Sequence, residues 1–121
     1  MAQYVDGFLF VIPKKRLAEY RTIARKASKI WKDHGALDYV ECIGEDLKPH
    51  PGMGTSFSKV TKLKAGELVL FAWIVYKSKA HRNAVNKKVI ADKRMAAMMT
   101  DAASFDMKRM NFGGFSVLVH A

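Results

Sequence analysis

The sequence predicts an α+β fold, in which helices cover one face of an antiparallel sheet. Segments of strand and helix character follow one another as strand, helix, strand, strand, helix, strand. Residues 68–76 are apolar at every position, so both faces of that strand must be covered. Helices can cover one face. We expect a second copy of the chain to cover the other face.

The first strand and the first helix are marked by composition and spacing. Residues 4–12 are rich in aromatic and β-branched side chains, and Pro13 ends this strand. From Leu17 onward, apolar residues recur at helical spacing while basic residues fall on the opposite side. Gly35 is suited to ending this helix, and residues 36–43 then have the character of a second strand.

The rest of the chain predicts a long loop, two strands and two helices. Residues 44–66 contain prolines and glycines, and a loop of that length is more than a simple connection. Ser78 can cap the second helix, which runs to Ile90. The third strand is predicted over residues 68–76, a short extra helix over residues 93–99, and the last strand over residues 112–120.

Composition indicates one domain, residues 1–121, with enough hydrophobic residues for a core, since they make up 50% of the chain. The single cysteine, Cys42, cannot form an intramolecular disulfide, which is typical of a cytosolic protein, and we expect a cytoplasmic location. The longest apolar run is far shorter than the roughly 20 residues of a membrane helix. The four histidines show no ligand spacing, so we predict no metal. We predict no cofactor either, because nothing in the sequence requires one, although a haem or flavin pocket in this architecture needs only apolar walls and one or two polar groups.

The formal net charge is +10, from 21 Lys and Arg residues against 11 Asp and Glu residues, and much of the excess lies between Lys14 and Lys32. Such a balance is compatible with a nucleic-acid partner. A solvated helix face and the binding of small anions are the two other interpretations.

Several short segments are similar to the YbaA-like family of bacterial proteins, within the dimeric α/β-barrel superfamily. The residues that carry the resemblance are 4–8, 34–36, Tyr39, Glu41, Cys42, 55–57, 73–82 and 108–115. The resemblance implies a ferredoxin-like subunit whose sheet pairs with that of a second subunit. It supplies no assigned activity, although the wider superfamily includes small oxygenases, haem-degrading enzymes and isomerases. The chain departs from the family pattern at Lys93, where a proline is common.

Candidate ligand-binding residues fall in two places. His81 lies in the first turn of the second helix between Lys77 and Arg82, a setting that suits a carboxylate or a phosphate. Tyr39 and Glu41 share one face of the second strand, about 7 Å apart along it.

Asp6 and Arg109 are two further charged residues that the sequence singles out. Asp6 is an acidic residue in an apolar strand and needs a partner such as Arg82 or Arg109. Arg109, just before the last strand, is also a candidate at the rim of a pocket.

Two hypotheses about function remain open beside a third, a purely structural or stress-related dimer with no ligand. The first is a homodimer that binds a small anionic or aromatic ligand in a cavity between sheet and helices, with weak oxygenase-like or isomerase-like activity. The alternative is a non-catalytic protein that binds RNA or another polyanion through Lys14, Lys15, Arg16 and Arg25 of the basic first helix.

Overall fold

Four antiparallel strands form one sheet in the computed structural model, which describes residues 2–121. The strands are β1 (Tyr4–Pro13), β2 (Asp38–Ile43), β3 (Glu67–Tyr76) and β4 (Asn111–Ser116). The spatial order is β2-β3-β1-β4, and each neighbouring pair is antiparallel. This order is the one that a ferredoxin-like βαββαβ chain adopts, so the predicted fold class is confirmed.

The helices are α1 (Leu17–Asp33), α2 (Phe57–Val60), α3 (Lys79–Ala91) and α4 (Lys93–Ala102), and a 3-10 turn at Lys14–Arg16 precedes α1. Local sequence explains their ends. Gly35 has a φ of 109° after α1, which glycine adopts at low cost. Ser78 and Asp92 cap α3 and α4 by accepting hydrogen bonds from backbone amides of the first turn. No helix within residues 2–121 has the length and apolar character needed to cross a bilayer.

The structure differs from the sequence prediction at several points, and α4, for example, ends at Ala102 rather than at residue 99. β2 begins at Asp38 rather than at residue 36, and α2 lies inside the segment predicted as a loop. β4 ends at Ser116 rather than at residue 120, because Ser116 is opposite Tyr4 at the start of β1. Beyond that pair, the amide of Val117 still donates a hydrogen bond of 2.9 Å to the carbonyl of Gln3, which precedes β1. Lys93 is the first residue of α4, a position where proline is also favoured, so the departure from the family pattern leaves the helix intact.

The main core lies between the sheet and the helices. Strand alternation turns the even-numbered residues of β1 and β3 toward α1 and α3. Tyr76 and Ile12 are almost fully buried there, with Ile30 of α1 and Val85 of α3. The predicted apolar stripe of α1 is confirmed, since its buried residues are Ile23, Ala27 and Ile30.

The opposite face of the sheet is apolar and is covered at one end alone. The loop after β2 folds over that end and forms a small cluster of Leu9, Val11, Val69, Leu47 and Leu63. Elsewhere the face stays open, and Phe115 keeps 62% of its surface exposed. The sequence predicts that a second copy of the chain covers this face, whereas the loop after β2 supplies part of the cover.

Candidate ligand-binding site

The carboxylate of Glu41 is held between two phenols where α1 crosses β2. Alternation along β2 places Tyr39 and Glu41 on the face of the sheet that meets the helices. The hydroxyl of Tyr39 donates a hydrogen bond of 2.8 Å to Oε2 of Glu41. Tyr20 of α1 donates to Oε1 of the same carboxylate. Both oxygens of Glu41 therefore have a donor, and the donors come from different elements.

Aromatic neighbours fix the positions of these two phenols. The ring of Tyr20 lies 5.8 Å from that of Phe10 and 5.6 Å from that of Phe105. The ring of Tyr39 lies 6.0 Å from the indole of Trp31. Such tilted and edge-on pairs add packing energy and restrict ring rotation. The hydroxyls are thus directed at Glu41 by the packing of the surrounding rings.

Burial raises the pKa of Tyr20 and of Tyr39 well above the usual tyrosine value, and the negative charge of Glu41 raises both further. Both phenols keep their protons at neutral pH and act as hydrogen-bond donors. Within the described residues Glu41 forms no ion pair, so these phenols are the groups that stabilise its carboxylate.

Two cavities adjoin at this carboxylate, and both are lined by Tyr20, Ala24, Tyr39 and Glu41. We call the first the arginine cavity. It has a volume of about 250 Å³, and its other walls include Arg21, Arg25, Cys42 and Ile43. The second, which we call the aromatic cavity, measures about 200 Å³, and its other walls include Phe8, Phe10, Trp31, Ile74, Met98 and Met110.

The predicted anion site around His81 lies away from these cavities. The imidazole Nδ1 of His81 accepts a hydrogen bond of 2.9 Å from the backbone amide of Lys77. Its ring lies edge-on to Tyr76 at 6.1 Å. These contacts place His81 in the packing at the start of α3. The role of His81 and Lys77 in anion binding stays a prediction.

Arg82 forms an ion pair with Asp6, 3.2 Å from guanidinium to carboxylate, and lies 4.9 Å from the ring of Tyr4. Arg109 instead pairs with Glu67 and donates to the backbone oxygen of Lys62 at 3.1 Å. The structure thus selects Arg82 as the partner of Asp6. The ligand-binding roles of both arginines stay predictions.

The four basic residues of the polyanion hypothesis have different surroundings. Lys14 and Lys15 are exposed on the 3-10 turn. Arg16 pairs with Glu19 at 2.8 Å and lies over the ring of Phe105 at 3.8 Å. Arg25 lines the arginine cavity. Two of the four are therefore engaged by the protein or directed to a cavity, and polyanion binding stays a prediction.

No group of three or more His, Cys, Asp and Glu side chains within residues 2–121 is placed to hold a metal ion. The sequence identified Tyr39 and Glu41 as candidates but singled out neither Tyr20 nor Arg21 as a site residue. The signal that could have marked Tyr20 is its hydroxyl, since an apolar helix stripe offers no partner for a phenol.

A sequence profile described as "Protein of unknown function (DUF1428)" matches residues 3–107. The chain is 39% identical over 117 residues to the "Uncharacterized protein YbaA" of Escherichia coli K12, covering 97% of each chain. This likeness confirms the resemblance found in the sequence.

Three solved structures share the fold at low sequence identity. A NIPSNAP domain protein from Burkholderia xenovorans has a TM-score of 0.63 at 13% identity, covering 98% of this chain and 97% of that chain. SnoaB, a cofactor-independent oxygenase from Streptomyces nogalater, has a TM-score of 0.60 at 11% identity, covering 99% and 97%. A dimeric ferredoxin-like protein from Thermobifida fusca has a TM-score of 0.53 at 9% identity, covering 97% and 93%.

Proposed function

Since the chain belongs to the DUF1428 family, we propose that it is a cytoplasmic homodimer that binds a small aromatic or anionic molecule between α1 and the sheet. In this proposal Glu41 accepts a proton from the bound molecule. The observation that carries the proposal is the position of the Glu41 carboxylate, which lines both cavities and has hydrogen-bond donors on both oxygens.

The chemistry of this site suits proton abstraction. A carboxylate accepts up to about four hydrogen bonds, so Glu41 can keep both phenols and still accept a proton from a ligand. When a C–H bond beside a carbonyl loses its proton to Glu41, the bonding electrons form an enolate. Return of the proton to another atom gives an isomerisation. The enolate is also an electron-rich form that dioxygen can oxidise, which is the class of reaction carried out by the oxygenase SnoaB.

Phenylpyruvate is a suitable probe of proton abstraction because it is an aromatic anion with an acidic C–H. We expect the protein to accelerate exchange of that proton for solvent deuterium, measured by proton NMR. Glu41→Gln should lower the accelerated rate at least about a hundredfold, since general bases contribute about 10² to 10⁴ in rate. Glu45→Gln, an exposed acid outside both cavities, is the matched control. Equal rates with wild type and Glu41→Gln would overturn the role of Glu41.

The open sheet face supports the homodimer. A shallow depression of about 470 Å³ on this face is lined by residues without charge, among them Leu9, Phe71, Trp73 and Phe115. Burial of such a surface is favourable by about 25 cal/mol per Å². The dimeric protein from Thermobifida fusca, which has the same fold, adds support by analogy.

Sedimentation velocity tests this pairing. We expect a mass of twice the 13.6 kDa chain at micromolar concentration. Phe115→Asp should convert the dimer to monomer, because it places a charge on the open face. Ile90→Asp is the matched control, since Ile90 is 76% exposed on α3, away from the sheet. A wild-type monomer, or an unchanged dimer in Phe115→Asp, would refute this mode of pairing.

A further inference from the structure

Two arginines of α1 face the arginine cavity without a partner of their own. Arg21 and Arg25 are one helical turn apart, so their side chains lie on the same side of α1, and both line the cavity. Within the described residues neither forms an ion pair. Their guanidinium groups have donors free for a ligand, and the fork of these donors matches the geometry of a carboxylate.

Other cations of α1 are engaged by the protein itself. Lys29 lies 3.5 Å from Asp33, and Lys26 lies 3.9 Å from Asp101. Lys32 donates to the backbone oxygen of Leu37 at 2.8 Å. Among the described residues of α1, Arg21 and Arg25 are the cations whose side chains have neither a carboxylate nor a backbone partner. Both line the cavity, which argues that these two arginines serve the cavity and are not simply part of a solvated face.

The charges in the arginine cavity do not already neutralise one another. Glu41 lines the same cavity, but its carboxylate oxygens accept hydrogen bonds from the hydroxyls of Tyr20 and Tyr39 and not from either guanidinium. Two positive charges and one negative charge leave an excess of one positive charge. A ligand with a single negative charge would balance it, provided that its charged end lies at the arginines and a neutral part lies against Glu41.

The aromatic cavity limits the rest of the ligand. Apart from the residues that line both cavities, its walls are apolar and are formed by side chains such as Phe8, Trp31 and Met98. An engineered apolar cavity of about 150 Å³ holds benzene. The aromatic cavity, at about 200 Å³, therefore accepts one or two fused rings. Methionines can adjust such a wall to the shape of the occupant.

We propose that the ligand is an aromatic monocarboxylate, with its carboxylate bound by Arg21 and Arg25 and its ring in the aromatic cavity. This inference rests on the proposed function, because it assumes that a molecule binds at Glu41. In this orientation the ring system lies beside Glu41, which lines both cavities.

Calorimetric titration with naphthoate and with neutral naphthol tests the inference. We expect Arg21→Gln/Arg25→Gln to weaken naphthoate binding about tenfold or more, as expected for the loss of a charge-assisted contact, and to change naphthol binding less than about twofold. Lys26→Gln/Lys29→Gln removes the same charge from α1 outside the cavity and should leave both affinities unchanged.

Outcomes separate the two proposals. Equal weakening of naphthoate and naphthol, or no change for either, would overturn the selection of a carboxylate while leaving ligand binding at Glu41 standing. Weaker naphthoate binding in both double variants would also overturn this selection. The overall positive potential of α1, and not direct contact with Arg21 and Arg25, would then be responsible. If wild-type protein bound neither probe, both this inference and the proposed ligand-binding function would be overturned.

Discussion

The hydroxyl of Tyr20 on α1 donates a hydrogen bond to the carboxylate of Glu41 on β2, 21 residues later in the chain. β2 is an edge strand of the sheet, and this bond ties it to the helix that covers it. Tyr20 and Glu41 therefore both form part of the candidate site and connect an edge strand to a helix.

The titration of the tyrosines should report the charge of Glu41. Burial raises the pKa of Tyr20 and Tyr39, and Glu41 adds to the shift, so Glu41→Gln should lower both pKa values without returning them to the usual one. Ultraviolet difference spectroscopy during alkaline titration measures this. Identical curves for the two proteins would contradict the coupling.

The same shifts predict an alkaline loss of stability. The folded pKa of these phenols is above the unfolded value near 10, so the unfolded state loses protons first as the pH rises. Stability from these groups is complete below that pH and decreases above it. Urea unfolding at neutral pH and at pH values above the unfolded tyrosine pKa should show the decrease.

Gly114 is required by the position of Tyr4. A Cβ at residue 114 would overlap the hydroxyl and ring of Tyr4, and Tyr4 is held in turn by Arg82. Gly114→Ala should destabilise the fold by about 1 to 3 kcal/mol. At Gly113 the added Cβ meets the ring of Phe115 at an ordinary 3.6 Å, so Gly113→Ala is the matched control. Equal unfolding free energies for the two variants would contradict this explanation.

The effects of substituting Asp6 and Arg82 on the free energy of unfolding should be strongly coupled. Asp6 is 7% exposed, so Arg82→Met leaves a nearly buried carboxylate without its cation, at a cost of about 3 kcal/mol. The double variant Asp6→Leu/Arg82→Met removes both charges and should recover much of that loss. Chemical denaturation of the four proteins gives the coupling energy. Additive losses would show that the two side chains act independently.

The ion pair of Glu67 and Arg109 should stabilise the fold at neutral pH and lose this effect in acid. The hydrogen bond from Arg109 is the main cause that lowers the pKa of Glu67 to about 2 from 4.5. Because the folded pKa is the lower one, the stabilisation is present above pH 4.5 and is lost as the pH falls toward 2. Glu67→Gln should therefore be less stable than wild type at neutral pH, with the difference vanishing near pH 2. A pH-independent difference in thermal unfolding would contradict this.

The sequence was sufficient for the fold because its signals are local and periodic. The continuous apolar run in β3 and the helical stripe of α1 each identify one element with one arrangement of faces. The end of β4 could not be predicted, since it depends on where β1 begins and not on residues 117–120 themselves. The cover of one sheet end by Leu47 and Leu63 likewise depends on the path of a long loop.

The candidate site could be predicted in part. Alternation along one strand is enough to place Tyr39 and Glu41 on a common face. The contribution of Tyr20 depends on where α1 crosses β2, which periodicity does not specify. For the same reason the sequence left both Arg82 and Arg109 as partners of Asp6, and the three-dimensional pairing with Arg82 decided between them.

Fluorine NMR of protein labelled with fluorotryptophan tests the location of the ligand most directly. The chain has two tryptophans: Trp31 lines the aromatic cavity, and Trp73 lies on the open face of the sheet. Trp73→Phe assigns the two signals. Addition of naphthoate should shift the Trp31 signal with saturation and leave the Trp73 signal in place. A shift of Trp73 alone, or of neither signal, would contradict binding between α1 and the sheet.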